Sequence, residues 1–549
     1  MRNTWTIGEV DMGGYVKVVS VGVFFGAMAY AANALEISGL EVTLNPSGKA
    51  PLSAIATLTT DEPSNISVEV SDGANESQYK RGGMRETDHS IPVLYLRPGK
   101  AHTITISATN QSGTTVSAPV VQITTDELPE GFPPIEVQTR RSRRMEPGVS
   151  LIPVFKWPKS GPSDDYGLIL ALDSKGDVVW YYETTHPINE PVRISTGNLL
   201  YNSGRDGRMF EIDMLGNVVQ RWHTTGVPKE DIPESSTPVA IDTFHHEVIE
   251  MPSGNFLALS TEVRDYDDYP TSMSKPEKRA PSQVLGDTVV EFERDGTIVR
   301  EIKLLDILDP YRVHHGSLGT GFYAEVYKDV LEKPARDWGH INAIVYDERD
   351  DSVLLSSYHQ GAACKVSLAT GELIWLLGDS ENWGDPWLAK RLKPVDDGML
   401  LNARQHGVTL MPDDTILMYD NGGNREGVMP EGAPKNGNFS RAVRFKVDEA
   451  AGTVDTVWQF GGAEDDWFYS PFICDTDLMP KTGNILITDG GRIKDKEGND
   501  TGSFAGRHWA RIVEVTNDTP AQKVFELHIE EPSMGWAVYR SERLPSLYF

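Results

Sequence analysis

The stretch YGLILALDSKGDVVWYY (166–182) decides the fold: an extended run, an Asp/Gly turn, and a second extended run rich in aromatic residues. Five more stretches have this form: MFEIDMLGNVVQRW (209–222), VVEFERDGTIVREI (289–302), CKVSLATGELIWLL (364–377), VRFKVDEAAGTVDTVWQF (443–460) and IVEVTNDTPAQKVFEL (512–527). Each predicts a β-hairpin, because turn residues between β-forming runs favour a tight connection. Six such hairpins in one chain indicate a repeat architecture.

Five of the hairpins follow a second kind of segment, which begins with a short extended entry and passes a turn into a strand. These segments are NEPVRISTGNLL (189–200), HEVIEMPSGNFL (246–257), HINAIVYDERDDSVL (340–354), HGVTLMPDDTIL (406–417) and CDTDLMPKTGNIL (474–486). The first hairpin lacks one, so we expect the C-terminal run WAVYRSERLPSLY (536–548) to close that blade. The sequence therefore predicts an all-β protein with a six-bladed β-propeller over residues 164–549.

The first positions of these segments form an aligned column of Asn189, His246, His340, His406 and Cys474. In a propeller, one strand position shared by several blades converges on a common axis, which would bring the three imidazoles to one mouth. A lone histidine in a β protein is ordinarily structural, but the shared position makes these three candidates for catalysis.

Two other histidine pairs complicate the assignment. His245 stands beside His246, and strand alternation predicts that only one of them faces the axis, with the repeat position favouring His246. His314 and His315 lie in the long insertion 304–337, which we expect to cap the mouth, and they are weaker candidates outside the repeat frame.

The rest of the chain divides into three parts. Residues 36–126 alternate like short antiparallel strands and predict a small β-sandwich, and the Pro-rich residues 127–163 predict a linker. Lys17, the apolar run 18–30 and the small-residue site at 32–34 predict an export signal in residues 1–34, with Met1 or Met12 as the start. We expect a periplasmic protein, and a retained membrane anchor is the alternative.

Composition narrows the function further. The formal charge of −29 excludes a phosphate-binding face of the kind that nucleic acid requires. The two cysteines, Cys364 and Cys474, are too few for a disulfide framework, so we expect two free, buried thiols. No His-x-His, CxxC or HExxH cluster appears, so a metal site would depend wholly on convergence of the three histidines. We therefore expect neither a metal nor a cofactor.

The chain resembles the bacterial arylsulfate sulfotransferases along its length from residue 44 to residue 548. The motifs that carry the resemblance are FHHEVIEMPSGN (244–255), DWGHIN (337–342), DDSVLLSSYHQG (350–361), QHGVTL (405–410), YDNGGNR (419–425), YSPFICD (469–475) and LITDGG (486–491). The resemblance implies a six-bladed propeller with an N-terminal β-sandwich, often as a homodimer. It also implies transfer of a sulfuryl group from an aryl sulfate donor to a phenolic acceptor without a nucleotide.

By this resemblance, His406 is the nucleophile that carries the sulfuryl group, and His246 and His340 surround the sulfate oxygens together with an arginine. Tyr358 stands where that arginine is expected, so we expect either that another cation compensates, with Arg404 and Arg425 as the candidates, or that transfer from poor leaving groups is slower. The cysteine pair found after the nucleophile in some members is also missing here.

Other residues could complete the site. Asn342 and Asn421 are candidate donors to the sulfate, or else form turn and strand-end hydrogen bonds. Tyr201, Trp338 and Tyr419 could hold the aryl group or belong to the core. Two other functions stay open at this point: a non-catalytic binding module and a metal-dependent oxidoreductase with histidine ligands.

Overall fold

The computed structural model describes residues 35–158, 161–163, 165–204, 206–228, 231–331, 335–425, 437–462 and 466–549, without the side chains of 82–85. The predicted export signal lies outside these residues. Within the described part of the chain, no helix is long and apolar enough to cross a membrane.

The N-terminal domain is a six-stranded antiparallel sheet. Its strands are β1 (Ile37–Leu44), β2 (Ala54–Ser71), β3 (Glu76–Val93), β4 (Ala101–Asn110), β5 (Thr115–Ser117) and β6 (Val121–Thr124). The long strand β2 has an irregularity between Thr59 and Ser64, and alternate side chains on both of its halves enter one core. The same core includes residues of the propeller, so the two domains pack together.

Residues from 136 onward form six sheets of four or five strands, which confirms the predicted six-bladed propeller. Strand β7 (Glu136–Arg140) belongs to the last blade. The strands of the first three blades are β8 (Val149–Lys156), β9 (Gly167–Leu172), β10 (Val178–Thr184), β11 (Val192–Arg193), β12 (Leu199–Ser203), β13 (Arg208–Ile212), β14 (Val218–Thr224), β15 (Thr237–Val239), β16 (His245–Glu250), β17 (Phe256–Pro270), β18 (Arg279–Phe292), β19 (Ile298–Lys303) and β20 (Ala335–Asp337). Blade 1 contains β8–β10, blade 2 contains β11–β15, and blade 3 contains β16–β20.

Blade 4 contains β21–β24, blade 5 contains β25–β29, and blade 6 contains β30–β33 together with β7. The strands are β21 (Ile341–Asp347), β22 (Ser352–Ser357), β23 (Ala362–Ser367), β24 (Leu373–Gly378), β25 (Lys393–Pro394), β26 (His406–Leu410), β27 (Thr415–Asp420), β28 (Arg441–Asp448), β29 (Thr453–Phe460), β30 (Asp475–Leu478), β31 (Ile485–Lys494), β32 (Arg507–Val515), β33 (Lys523–Ile529), β34 (Trp536–Val538) and β35 (Glu542–Leu544). The helical turns in the described residues are short: Leu304–Asp306, Tyr323–Val326 and Leu388–Lys390.

Each of the six predicted hairpins is an antiparallel strand pair in the outer half of one blade. In blade 4, for example, β23 pairs with β24 across the turn at Thr370 and Gly371. The C-terminal strands β34 and β35 pair with β8, as predicted, so residues from the end of the chain complete blade 1. Sequence-distant strands in one sheet join the two ends of the propeller, so its closure depends on tertiary contacts.

The segment predicted as a linker is structured, and this corrects the expected boundary at residue 164. Strand β7 pairs with β33 at the outer edge of blade 6, and β8 pairs with β9 inside blade 1. The prolines that suggested a linker stand mostly outside these strands, and Pro153 is tolerated within β8. Both cysteines are free and buried, as predicted.

Candidate active site

The innermost strands of blades 3, 4 and 5 each have a β-bulge at or just after the column histidine. The pairing register shifts between His245 and Val248, between Ile341 and Ala343, and between His406 and Thr409. A bulge bends a strand and re-aims a side chain, and bulges are common beside active sites. The sequence repeat therefore repeats a backbone irregularity as well as a residue type.

The backbone at these bulges is left-handed. His246 and His340 have φ values of 53° and 52°, and Gly407, which follows His406, has φ of 58°. A non-glycine residue in this region is strained and persists only where its surroundings hold it, typically at functional sites. At Gly407, an added Cβ would lie 1.9 Å from Asp475 Oδ1, so only glycine fits beside His406.

The bulges open onto a cavity of about 480 Å³ at the propeller axis. Its lining includes Asn189, His246 and His340 from the aligned column, and Tyr358 and Arg404 from the predicted substrate-binding residues. His406 is 3% exposed and does not itself line the cavity; its ring centroid is 5.0 Å from that of Tyr358. Cys474 is buried behind the lining residue Ile473.

His406 is held in one tautomer by Asn421. The amide nitrogen of Asn421 donates to the carbonyl oxygens of Ser470 (2.8 Å) and Ile473 (3.1 Å), which fixes its Oδ1 as an acceptor. His406 Nδ1 lies 2.8 Å from that oxygen and must donate to it. The lone pair of the neutral ring is therefore on Nε2. Burial lowers the pKa of His406 well below its usual value, which keeps the ring neutral.

His340 has the opposite electrostatic environment. Its Nδ1 lies 2.6 Å from Asp337 Oδ2. Burial opposes the charged ring, but the charge and hydrogen bond of Asp337 outweigh burial and raise the pKa of His340 above its usual value. The nearby His340 and His359 rings likewise overcome burial and lower the pKa of Asp337. His340 is thus poised as an imidazolium that presents an Nε2–H donor.

His246 is positioned by its neighbour His245. The Nε2 of His245 donates to Ser260 O (3.0 Å), so its Nδ1 accepts from His246 Nδ1 at 2.7 Å. Burial first, and then the neighbouring His340, lower the pKa of His246 well below its usual value. Simple strand alternation does not describe these two histidines, because the bulge interrupts it. His246 lines the cavity, and His245 is fully buried behind it.

Sequence reasoning missed a fourth imidazole, His359. It lines the cavity, its ring centroid is 4.8 Å from that of His340, and its Nδ1 donates to Asp337 O at 2.7 Å. All four rings, those of His246, His340, His359 and His406, have a hydrogen-bond partner on Nδ1. None has a partner on Nε2 within the described residues. His359 belongs to the SSYHQG motif, but it lies outside the repeat column and so carried no periodic signal.

Arg404 and Tyr358 form a stacked pair at the cavity wall. The Arg404 guanidinium lies 4.0 Å from the centroid of the Tyr358 ring, a cation–π contact. The Tyr358 hydroxyl donates to Pro471 O at 2.5 Å, so it is not free for a substrate. Arg404 hydrogen-bonds Asn424 Oδ1 at 3.3 Å, and no carboxylate of the described residues forms an ion pair with it.

The other candidate cation, Arg425, has a structural role. It forms a buried ion pair with Asp420 at 2.9 Å and donates to the carbonyl oxygens of Leu401 and Phe439. Arg404 itself does not stand in an extended segment, because its φ is 54° and β26 begins only at His406. The left-handed bend, rather than strand alternation, brings Arg404 to the cavity.

Arg540, which sequence reasoning also missed, is a buried cation near the histidines. It binds Glu190 (2.7 Å), Glu247 (3.0 Å) and the carbonyl of Asn342 (2.6 Å). Its charge is one of the causes, after burial, of the low pKa of His406. Asn342 donates its amide to Gln405 O at 2.9 Å, so it braces two inner strands and does not donate into the cavity.

The aromatic residues expected to hold an aryl group are core residues instead. Tyr201, Trp338 and Tyr419 are at most 1% exposed and do not line the cavity. The Phe, Tyr and Trp rings that do line it are those of Phe155, Trp157, Phe322, Tyr358, Phe472, Phe504 and Tyr539. Trp157, Phe472 and Phe504 contact one another, with centroid separations of 4.8–6.1 Å, and 51% of Phe504 is exposed.

Asp337, His340 and His359 are close enough together to suggest a metal site. The separation of 2.6 Å between His340 Nδ1 and Asp337 Oδ2 is that of a charge-assisted hydrogen bond. Two ligands of one tetrahedral zinc ion stand about 3.3 Å apart, given bonds of about 2.0 Å. Hydrogen bonding therefore accounts for this pair better than a shared metal does.

The fold and this site define a six-bladed propeller with a cluster of imidazoles and an arginine around an axial cavity. Two family models match the chain: arylsulfotransferase (ASST) over residues 136–540, and arylsulfotransferase Ig-like domain over residues 41–126. The chain belongs to the arylsulfotransferase family, which confirms the resemblance found in the sequence.

Two curated relatives that are similar to this chain are named arylsulfate sulfotransferases. The arylsulfate sulfotransferase AssT of Escherichia coli O6:H1 is 29% identical over 301 residues, which are 48% of this chain and 45% of that protein. The arylsulfate sulfotransferase AssT of Lelliottia amnigena is 28% identical over 288 residues, 46% of each chain. The matched region thus spans less than half the length of these relatives.

Among solved structures, a putative 6-phosphogluconolactonase from Bacteroides fragilis covers 88% of this chain and 98% of its own, at 11% identity and a TM-score of 0.31. A virginiamycin B lyase from Staphylococcus aureus covers 71% of this chain and 88% of its own, at 10% identity and a TM-score of 0.29. At these scores the likeness carries no argument about function.

Proposed function

We propose that this chain transfers a sulfuryl group from an aryl sulfate to a phenol by double displacement, with a sulfo-histidine on His406 as the intermediate. The observation that carries the proposal is the common arrangement of the imidazoles. Each is anchored through Nδ1 and has no partner on Nε2 among the described residues, and the pKa of His340 is raised whereas that of His406 is lowered. A neutral nucleophile beside a charged acid is what this transfer requires.

In the first step, the Nε2 lone pair of His406 forms a bond to sulfur while the bond between sulfur and the phenolic oxygen breaks. The departing oxygen takes the Nε2 proton of His340, which leaves a neutral phenol and a neutral His340. The Nδ1 proton of His406 stays on the ring, where its hydrogen bond to Asn421 stabilises the positive charge that the sulfated ring acquires.

In the second step, the neutral His340 accepts the proton of an incoming phenol, whose oxygen attacks sulfur and breaks the bond to His406. His246, whose Nε2 carries a lone pair, is the second group able to accept that proton. Both histidines return to their starting states, so the cycle consumes no nucleotide and needs no metal or cofactor.

Charge on the sulfate oxygens spreads in the loose transition state, as it does in phosphoryl transfer. Arg404 is the cation that faces the cavity with no carboxylate partner among the described residues, and it takes the place of the arginine expected at position 358. Tyr358 contributes its ring face, which supports the guanidinium, rather than its hydroxyl. Asn421 orients the nucleophile instead of binding sulfate.

The test is capture of the intermediate. Mixing the protein with 4-nitrophenyl sulfate, with no acceptor and no acid in the quench, should add one sulfuryl group to the intact mass and locate it on His406. His406→Ala should lack the adduct and lose several orders of magnitude in turnover, because a covalent nucleophile acts as part of a unit. His245→Gln, which alters only a positioning ring, should still form the adduct.

An adduct of equal yield in His406→Ala would refute the assignment of the nucleophile. A wild-type protein that exchanges no sulfuryl group between 4-nitrophenyl sulfate and a phenol would favour a non-catalytic binding module. Export to the periplasm and a homodimeric assembly belong to the same proposal and stay predictions.

A further inference from the structure

A second cluster of imidazole and carboxylate groups lies outside the cavity, where the insertion after β19 meets the loop after β24. His314, His315 and Glu381 each offer a ligand atom, and these three atoms all lie within 4.8 Å of one another. Asp379 stands beside them, with Oδ2 3.1 Å from His314 Nε2, and Glu381 Oε2 lies 4.0 Å from the same nitrogen. Neither histidine lines the axial cavity.

The tautomer of His314 suits a metal ligand. Its Nδ1 lies 3.1 Å from the carbonyl oxygen of His359 and must donate to it, because a carbonyl only accepts. Its Nε2 lies 3.1 Å from Asp379 Oδ2, which is hydrogen-bond distance, and 4.0 Å from Glu381 Oε2, so this nitrogen faces two carboxylates and a cation can take the place of its proton. Metal-bound histidines are typically held in this way, with the other ring nitrogen donating to a backbone carbonyl.

The other two groups lack partners. Glu381 Oε2 is buried and has no hydrogen-bond partner within the described residues. Neither ring nitrogen of His315 has such a partner there. A buried carboxylate oxygen without a donor is costly unless a cation compensates it.

The charged side chains of this cluster are also compatible with a bound cation. The fully buried Arg312 pairs with Asp379 Oδ1 at 3.1 Å and donates to Gln360, so it is already committed. Asp379 and Glu381 bring two carboxylates to the cluster, and Arg312 is ion-paired with the first of them. Nitrogen and oxygen donors in this mixture are the ligands that zinc and similar divalent transition metals prefer.

We propose that His314, His315 and Glu381, with Asp379 as the fourth group, bind one divalent transition-metal cation of the zinc class. In a tetrahedral zinc site with bonds of about 2.0 Å, neighbouring ligand atoms stand about 3.3 Å apart. The observed separations of 3.1 and 4.0 Å around His314 bracket that value. A small closure of the two loops therefore completes the site.

The cation would hold a loop in place and would not contact the substrate. An added Cβ at Gly316 would lie 2.6 Å from His359 and 3.2 Å from Arg404, so the turn after His315 packs directly against two cavity residues. His314 also bonds to the carbonyl of His359. The metal would hold this turn, and through it His359 and Arg404, in place.

The experiment measures metal binding directly, without an activity readout. The full chain is stripped with a chelator, dialysed and titrated with Zn²⁺ by calorimetry, and the melting midpoint is recorded with and without Zn²⁺. We expect one equivalent bound with a dissociation constant in the micromolar range or below. The melting midpoint should rise with Zn²⁺, because a ligand that binds the folded state stabilises it.

His315→Ala and Glu381→Gln should each weaken binding at least tenfold and remove the thermal shift, with circular dichroism confirming that each variant is folded. His528→Ala is the matched control, because His528 pairs with one carboxylate, that of Glu526 at 3.1 Å, on the outer part of blade 6. It should bind Zn²⁺ as the wild type does. His406→Ala should also retain the affinity, which separates this site from the catalytic proposal.

Two results would overturn the site. One is the absence of stoichiometric Zn²⁺ binding by the wild type. The other is evidence that the ion binds elsewhere. That evidence would be wild-type affinity for Zn²⁺ in both His315→Ala and Glu381→Gln, or loss of Zn²⁺ binding in His406→Ala.

Discussion

The two sides of the axial cavity are built differently. Blades 3, 4 and 5 contribute imidazoles, and each ring is fixed by a hydrogen bond on Nδ1 to a carboxylate, an amide, a carbonyl or another ring. Blades 6 and 1 contribute Phe472, Phe504 and Trp157, whose rings pack against one another, with a stack of Trp157 on His508 at 4.3 Å. The histidine side is held by directional hydrogen bonds, and the aromatic side provides apolar contact area.

This difference matches two kinds of recognition. Group transfer to sulfur requires a nucleophile and donors held within a fraction of an ångström, which hydrogen bonds from buried partners provide. An aryl group needs an apolar surface, and stacked or edge-on rings accept many shapes. Changes on the histidine side should therefore alter turnover, whereas changes on the aromatic side should alter the affinity for the aryl group.

Asp337→Asn should have the largest effect among the variants that keep His340. The amide cannot hold a positive charge on His340, so the protonated acid for the leaving phenoxide is lost at neutral pH. We expect kcat to fall about 10²- to 10⁴-fold, the usual contribution of a general acid. Steady-state kinetics with 4-nitrophenyl sulfate and with a sulfate of a more basic phenol would measure this, with the larger loss on the more basic phenol.

The pH profile separates this role from a merely structural one. His340 must be protonated, and Asp337 raises its pKa, so activity is lost as the pH rises through that pKa. Asp337→Asn lowers the pKa and should move the alkaline limb of the profile toward lower pH. The acid limb, which reports protonation of His406, should stay in place because burial sets it. An unchanged alkaline limb would rule out the pairing of Asp337 with the catalytic acid.

Arg404→Ala should have the second-largest effect. In the part of the chain that the structure describes, the guanidinium faces the cavity from the histidine side and has no carboxylate partner, so its loss removes a charged donor to the sulfate. We expect a loss of about 10²- to 10³-fold in kcat, or about 2.7–4 kcal/mol. Single-turnover sulfation of His406 measures the effect on the chemical step.

Tyr358→Phe is the matched control for Arg404. It keeps the ring face under the guanidinium and removes only a hydroxyl that donates to Pro471 O. Turnover should change less than about tenfold, since one neutral hydrogen bond contributes about 1 kcal/mol. A loss in Tyr358→Phe equal to that in Arg404→Ala would show that the hydroxyl, and not the arginine, binds the sulfate.

The histidine side could be predicted from the sequence in outline but not in its partners. His246, His340 and His406 share a position in a repeat, and a repeat is visible in a single chain. Asp337 and Asn421 hold their histidines from positions outside that column, where nothing is periodic. Their spacing to the histidines follows from the bulges, and the alternation rule that served for the strands fails at a left-handed residue.

The aromatic side could not be predicted, for a related reason. Trp157 follows β8 in the segment interpreted as a linker, and Phe504 lies in a loop between β31 and β32. Aromatic residues in loops show no alternating pattern in the sequence. Tyr201 and Tyr419 lie inside strands and were candidates for holding the aryl group, but they are core residues. Blade number and closure were predictable because hairpins are local in sequence, while a cavity wall gathers residues from ends of blades that are distant in the chain.

Phe504→Ala should have the smallest effect and tests the aromatic side by itself. The ring is 51% exposed and lines the cavity, so its removal should leave the fold and the histidines intact. One ring contact contributes about 0.5–1.5 kcal/mol, so KM should rise roughly 2- to 10-fold, with kcat nearly unchanged because the contact is equal in ground and transition states. The rise should be larger for a bicyclic aryl sulfate than for 4-nitrophenyl sulfate. Val120→Ala, which truncates an equally exposed side chain in the N-terminal domain, should change neither constant. A fall in kcat without a rise in KM would mean that Phe504 positions the sulfate, and the division of the cavity into a chemical side and a binding side would be wrong.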